Sequence, residues 1–236
     1  MFLFLKLVLA HLIADFILQF EELYQLKVRS LWGHILHVVI HGIVSIVMVY
    51  PYLDQLFMGC FLGGLVLLHL LQDFVKYTLT KKIPKNTFLY FIGDQFVHLI
   101  VISTILLFPI SNEIRGFPVA GILNRVYLDY PLTLFFIFSI LLTFAGNYTF
   151  HAFYKSYVEN SRPLCWITSP EIAYAILERG VIASAVIFAA KPHWVFVSLL
   201  IGVLRLPFPN LRNLRDFLLS AMYTVALSDI FLLLLP

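Results

Sequence analysis

"HLIADF", residues 11–16, lies in the first apolar run of the chain, and "HLLQDF", residues 69–74, repeats it 58 residues later. Each places a histidine and an aspartate four residues apart, in a segment otherwise suited to lipid. The i,i+4 spacing puts both side chains on one face of a helix. A second pair of segments extends the pattern. "HVVIH", residues 37–41, aligns with "DQFVH", residues 94–98, so that His37 maps onto Asp94 and His41 onto His98 with an offset of 57. The chain therefore holds two helical hairpins of the form HxxxD…[HD]xxxH. Both run the same way through a membrane, which makes them a parallel repeat about an axis along the membrane normal.

The composition sets the class. Of 236 residues, 61% are hydrophobic and only 12% charged, and 16% are aromatic. A soluble domain is about a quarter charged, so the chain reads as an all-α polytopic integral membrane protein. A net charge of +3 is too small to suggest nucleic acid. With roughly 20 apolar residues needed per crossing, spans fall near 1–20, 32–51, 54–77, 86–109, 131–155, 170–190, 193–207 and 212–235. The short seventh is either a crossing or a re-entrant segment, which gives seven or eight transmembrane helices. Lys27 and Arg29, then Lys81, Lys82 and Lys85, then Arg162, then Arg205, Arg212 and Arg215 occupy alternate linkers. By the positive-inside rule these linkers face the cytoplasm and the N-terminus faces outward. Three regions follow: residues 1–109 with both hairpins, a polar extracytoplasmic loop at 110–130, and C-terminal helices over 131–236 that cover the first region.

In that topology His11, Asp15, His34, His37, His41, His69, Asp73, Asp94 and His98 share one level, roughly 3–18 Å from the cytoplasmic end of their helices at about 1.5 Å per residue. Ionisable groups in a membrane helix are costly and need partners. Four polar helix faces meeting at the centre of a pseudo-twofold four-helix bundle are a common setting for a metal site. Three readings of the belt stand: a metal site, a proton or ion relay, and a structural hydrogen-bond network.

On the metal reading, His11, Asp15, His37, His41, His69, Asp73, Asp94 and His98 ligate one or two divalent ions. Mixed imidazole and carboxylate ligands suit zinc foremost, or manganese or iron. Asp15, Asp73 or Asp94 is available as a catalytic base. A di-iron oxidase competes, with "HILHVVIH", residues 34–41, as a loose version of its histidine clusters. Lys27 and Lys76 follow the two aspartates and are candidate contacts for an anionic headgroup, with snorkelling lysines as the plainer alternative. Gln19 continues the His11–Asp15 face, and His34 and the Glu178–Arg179 pair are further candidate substrate contacts. Asn147, His151 and Lys155 form a stripe near the inner end of the fifth span, and His151 reads there as an interfacial residue. Cys60 and Cys165 form no CxxC and read as free thiols.

These motifs resemble an uncharacterised bacterial multi-pass membrane family, the domain-of-unknown-function family numbered 3307. The resemblance rests on "HLIADFILQ" (11–19), Lys27, the His34–His41 segment, "HLLQDFVK" (69–76) and "DQFVHL" (94–99), with "ILERG" (176–180) and "AAKP" (189–192) in the later part. It implies a location in the bacterial inner membrane and names no activity. A weaker similarity runs to membrane-bound metal-dependent hydrolases, and the HxxxD helices are similar in type to ligand helices of zinc-dependent phospholipase C. The expectation is metal-dependent hydrolysis of a phosphate ester or related bond in a membrane lipid, with oligomers open. The alternatives are a proton- or metal-ion-coupled transporter and a scaffold without chemistry.

Overall fold

The computed structural model describes residues 1–118, 121–157, 170–188 and 214–235, and its regular elements there are all helical. Helix α1, Phe2–Leu12, runs on into a π-helical turn, Ile13–Ile17. After a short break comes α2, Glu21–Arg29, then α3, Leu31–Met48, α4, Leu56–Lys82, and α5, Thr87–Ser103, which a 3-10 turn extends to Leu107. The short α6, Ile122–Leu128, precedes α7, Tyr130–Ile140, a second π-helical turn, Leu141–Ala145, and α8, Gly146–Tyr157. Helices α9, Pro170–Phe188, and α10, Leu214–Leu234, follow.

Among the described residues, five helices are long and apolar enough to cross a membrane: α3, α4, α5 with its extension, α7 with α8, and Arg215–Leu234 of α10. The pair Phe2–Ile17 and Glu21–Arg29, bent by 84°, makes a sixth if taken as one broken span. Helix α9 coincides with the expected sixth span but carries Glu171, Glu178 and Arg179. The expected seventh span at 193–207 lies outside the described residues, as do Cys165, Arg162, Lys191 and Arg205. Cys60 is a free, exposed thiol.

Two kinds of helix surface explain the packing. Nine of the eleven residues of α1 are buried, on every side of the helix. A helix that is apolar all round belongs in an interior, and α1 accordingly packs against α3, α5 and α7. Helices α3, α4 and α5 instead bury one narrow stripe each: His34, His37, Val38 and His41 on α3; Met58, Leu62, His69 and Asp73 on α4; Asp94, His98 and Ile102 on α5. Their outward residues are apolar, with Leu67, Leu71, Phe74, Phe96 and Val39 all exposed. Polar side chains inside and apolar ones outside is the polarity that a hydrocarbon solvent selects. Helix α3 packs on α4 and α4 on α5, so the three stripes and the Ile17 end of α1 face one another.

The structure departs from the sequence expectations at three places. The first span ends at Ile17 rather than at residue 20, because the chain leaves its axis at Leu18–Phe20. The expected linker over 27–30 is the end of α2, whose Glu21 and Glu22 in the first turn and Lys27 and Arg29 in the last turn match the helix dipole. The loop at 110–130 contains α6 and a 3-10 turn at Pro109–Asn112.

The α2–α3 corner is tight. Ser30 caps α3, its side chain accepting from the Gly33 amide at 3.3 Å. A Cβ at Gly33 would fall inside van der Waals contact of the Leu26 and Lys27 backbone. We expect Gly33→Ala to push α2 off α3, at a cost of roughly 1–3 kcal/mol for overpacking against unyielding backbone. A lowered thermal midpoint of the purified chain, with Ser30→Thr much milder, is the expected result.

Candidate metal centre

The site is built around Asp15. This residue sits in the π-helical turn, where the Leu18 amide reaches back five residues to the Ile13 carbonyl at 2.9 Å. The wider turn offsets Asp15 from a regular α-helical position, and such turns are frequent at functional sites. Beyond it, the Gln19 carbonyl is held by the Tyr148 hydroxyl of α8 at 3.1 Å.

Three imidazoles converge on one oxygen of Asp15. His41 Nε2 lies 2.7 Å from Oδ1, His37 Nε2 3.1 Å and His69 Nε2 3.6 Å. The other oxygen, Oδ2, accepts from Gln95 Nε2 at 3.1 Å and lies 3.6 Å from His11 Nε2. All of this is buried: Asp15 is 7% exposed and His37 0%. His11, Asp15, His41 and His69 each offer a ligand atom, and these atoms lie within 4.8 Å of one another. Four ligands on a tetrahedral zinc ion stand roughly 3.4 Å apart, from metal–ligand lengths of about 2.0–2.2 Å. The group is therefore assembled and slightly open, and it could hold a divalent ion.

The neighbouring imidazoles are crowded in the same way. The rings of His41 and His69 are 3.8 Å apart, those of His69 and His98 4.3 Å, and those of His11 and His98 4.8 Å. His37 Nε2 and His69 Nε2 face each other at 3.2 Å. Both ring nitrogens of His98 and Nδ1 of His37 are buried without a hydrogen bond. Buried polar atoms are normally satisfied, and a set of neutral imidazoles aiming nitrogens inward fits a cation better than a closed hydrogen-bond network.

The other two aspartates take different partners. Asp73 Oδ2 accepts from Lys27 Nζ at 2.7 Å and lies 3.2 Å from His34 Nδ1. Lys76 Nζ bridges Asp73 Oδ1 at 3.1 Å and Asp94 Oδ2 at 2.7 Å. Lys27 Nζ also donates to Gln19 Oε1 at 2.8 Å. The eight expected ligands thus divide. His11, Asp15, His41 and His69 form the metal-capable group, His37 and His98 flank it, and Asp73 and Asp94 are ion-paired to lysines. The physical reason is local. Two carboxylates facing each other across α4 and α5 need a cation between them, and Lys76, one turn after Asp73, supplies it.

Gln95 is the residue that the sequence reading missed. It donates to Asp15 Oδ2 and, at 3.3 Å, to Asp94 Oδ2, and its Oε1 lies 3.4 Å from His11 Nε2. It joins the imidazole group to the lysine-bridged group. Its position one residue after Asp94 and three before His98 was the available signal.

Two cavities meet the belt. One of about 160 Å³ is lined by Asp15, Gln19, Lys27, His34, Asp73 and Lys76, with His151 and Lys155 of α8 also on its wall. The other, about 30 Å³, lies against His11, His41, His69 and His98 and extends toward Leu7 and Leu65. Glu178 and Arg179 lie elsewhere. Arg179 is 1% exposed, and its guanidinium donates to Asn147 Oδ1 and, at 3.4 Å, to the Thr143 carbonyl. That carbonyl belongs to the second π-helical turn, and the Tyr223 hydroxyl takes the Leu141 carbonyl of the same turn at 2.6 Å. Arg179 thus ties α9 to this turn and to α8.

Residues 3–116 match a family described as "Protein of unknown function (DUF3307)". The matched stretch contains both hairpins and every residue of the His/Asp/Lys belt, whereas "ILERG" and "AAKP" lie beyond it. No curated protein and no solved structure matches the chain.

Lys76→Met removes the ammonium between Asp73 and Asp94. We expect it to cost roughly 3 kcal/mol, as for a buried ion pair broken on one side. Adding Asp94→Asn should restore part of the loss. A double-mutant cycle on thermal stability reads this coupling, and additive losses would remove the bridge from the account.

Proposed function

We propose that this chain, whose residues 3–116 match a family of unknown function, is an intramembrane metal-dependent hydrolase acting on a phosphate ester or related bond of a lipid. The observation that carries the reading is the convergence of His11, Asp15, His41 and His69 within 4.8 Å, beside a cavity whose wall carries Lys27 and Lys76. In this reading α1, α3, α4 and α5 form a pseudo-twofold bundle in the bacterial inner membrane. The chain crosses seven or eight times with its N-terminus outside, and the belt lies in the cytoplasmic half.

Charge supports the assignment. With the imidazoles neutral, Asp15, Asp73 and Asp94 outnumber Lys27 and Lys76 by one. A divalent ion turns the deficit into a single positive charge, which suits a phosphodiester monoanion. Zinc is the first choice for such ligands, with manganese or iron next. A bound divalent ion supplies an acidified water and polarises a phosphoryl oxygen. The chain's own groups do the rest. Lys27, Lys76 and His34 receive the anionic group in the 160 Å³ cavity. Gln95 holds the carboxylate of Asp15 in orientation. Asp94, hydrogen-bonded to Gln95 and 3.9 Å from His98 Nε2, is placed to accept a proton at Oδ1.

A second reading is a proton- or metal-ion-coupled transporter. The void of about 30 Å³ on the other flank of the imidazoles favours it, since that is space for a water or two beside the same nitrogens.

Elemental analysis of the chain purified without chelators is expected to show about one zinc, manganese or iron per molecule, and Asp15→Asn to lose it. Gln95→Leu should weaken metal affinity roughly 10–100-fold, as for other residues that orient a ligand. Chelator-sensitive release of a phosphorylated headgroup from phospholipid vesicles tests the enzyme, and metal or proton flux in proteoliposomes tests the transporter. A metal-free native chain, indifferent to both substitutions, overturns the metal centre and with it the hydrolase.

A further inference from the structure

Lys6 stands apart from the belt. It is 3% exposed, on the helix that the rest of the fold surrounds. Its Nζ donates to Thr133 Oγ1 at 2.8 Å and lies over the rings of Tyr127 and Phe2, 4.3 and 4.8 Å from their centres. Among the described residues no carboxylate lies within 4 Å of it. Asp129, one helical turn before Thr133, is exposed and gives Oδ1 to the Leu132 amide at 2.8 Å as the cap of α7. Thr133 cannot serve as a second donor, because its hydroxyl donates to the Asp129 carbonyl at 2.8 Å. An ammonium has three protons to give, and Lys6 uses one on an oxygen. A charge buried in apolar surroundings without a counter-ion is costly.

This ammonium lines a cavity of about 550 Å³ between α1, the end of α3, α6 and α7. The walls are otherwise almost wholly apolar, with Leu9, Ile13, Ile17, Met48, Ile140 and Phe144 among them. Lys6 and Ile17 lie eleven residues apart on one helix, so the chamber follows α1 for roughly 16 Å at about 1.5 Å per residue. It is an elongated hydrocarbon space with, among the described residues, a single cation near the end that carries Phe2.

We propose that this chamber binds a long-chain carboxylic acid, with its carboxylate on Lys6 and its alkyl chain along α1 toward Ile17. One ammonium with two protons left matches one monoanionic carboxylate, accepting through both oxygens. A phosphomonoester headgroup carries more charge and more acceptors than this end of the chamber can meet. The alkyl chain gains the apolar walls, and Lys6 gains a carboxylate in direct contact, which no described residue provides within 4 Å; Asp129 acts on it only from farther off. The site is separate from the His/Asp group and does not depend on the proposed hydrolase. Ile13 and Ile17, in the π-helical turn that also carries Asp15, connect the two regions.

The test uses the full chain in detergent and measures equilibrium binding of tritiated palmitate, with hexadecanol and a lysophosphatidate as the neutral and phosphate-headed comparisons. Palmitate is expected to bind at about one per chain and about tenfold more tightly than hexadecanol, the scale of one charge-assisted contact. Lys6→Met should abolish that preference and Lys6→Arg should retain it. Ser139→Trp, which fills the chamber from α7 without touching Lys6, should reduce binding of the acid and the alcohol together and leave the metal content unchanged. Equal binding of acid and alcohol, tighter binding of lysophosphatidate, or palmitate binding unaffected by Lys6→Met and Ser139→Trp would each overturn the proposal.

Discussion

One carboxylate organises this structure. Asp15 lies in the turn that continues α1, the most buried of the described helices, where an uncompensated negative charge would be prohibitive. Its two oxygens are met by side chains from α1, α3, α4 and α5: His11, His37, His41, His69 and Gln95. Each of these helices can satisfy Asp15 only if its narrow polar stripe faces inward. The rotation of α3, α4 and α5 about their axes follows from that requirement, and their exposed apolar faces are its complement. In a hydrocarbon solvent the apolar faces alone give little preference for one rotation over another, because lipid is as apolar as leucine. Polar contacts at the centre therefore carry the specificity.

The two hairpins repeat in the spacing of their sequence, yet their chemistry is unequal. In the first hairpin Asp15 faces His37, and its carboxylate is met by imidazoles. In the second, Asp94 stands where a histidine would, so Asp73 faces another acid. Lys76 answers that repulsion by bridging the two carboxylates, and Lys27 from α2 adds a second ammonium to Asp73. The 84° bend after the first π-helical turn makes the second contact possible, since it carries α2 across the end of the helices and brings Lys27 to Asp73. A single His-to-Asp difference between the repeats thus separates an imidazole-rich side that could hold a cation from a side where lysines and carboxylates pair. Gln95 spans the boundary between them.

Helix α1 is also the wall between two dissimilar chambers. Asp15, Phe16 and Gln19 border the space that holds the lysines, and Leu9, Ile13 and Ile17 border the apolar one. The π-helical turn sets this division by offsetting the residues after Leu12. A second π-helical turn lies across from it at Leu141–Ala145, where Arg179 and Tyr223 take carbonyls of that turn. Both turns keep backbone acceptors satisfied through side chains or through the longer-range hydrogen bond, a condition for irregular helix in an apolar setting.

The sequence by itself determined the helical class, the positions of the long apolar helices and the pairs that share a face. Hydropathy and the 3.6-residue period are local properties, and i,i+4 neighbours such as His11 and Asp15 or Asp94 and His98 need nothing distant to be recognised. It also placed Lys27 and Lys76 beside the belt. Tertiary structure alone decided that α1 is central, that the chain turns sharply at Leu18–Phe20, and that α2 is a helix lying across its neighbours. It decided, too, which aspartate meets imidazoles and which meets ammonium groups. Those outcomes depend on distances between residues far apart in the chain, and on charge balance summed over four helices at once. A spacing pattern can put nine ionisable groups at one level, whereas only the packed helices fix which of them face one another.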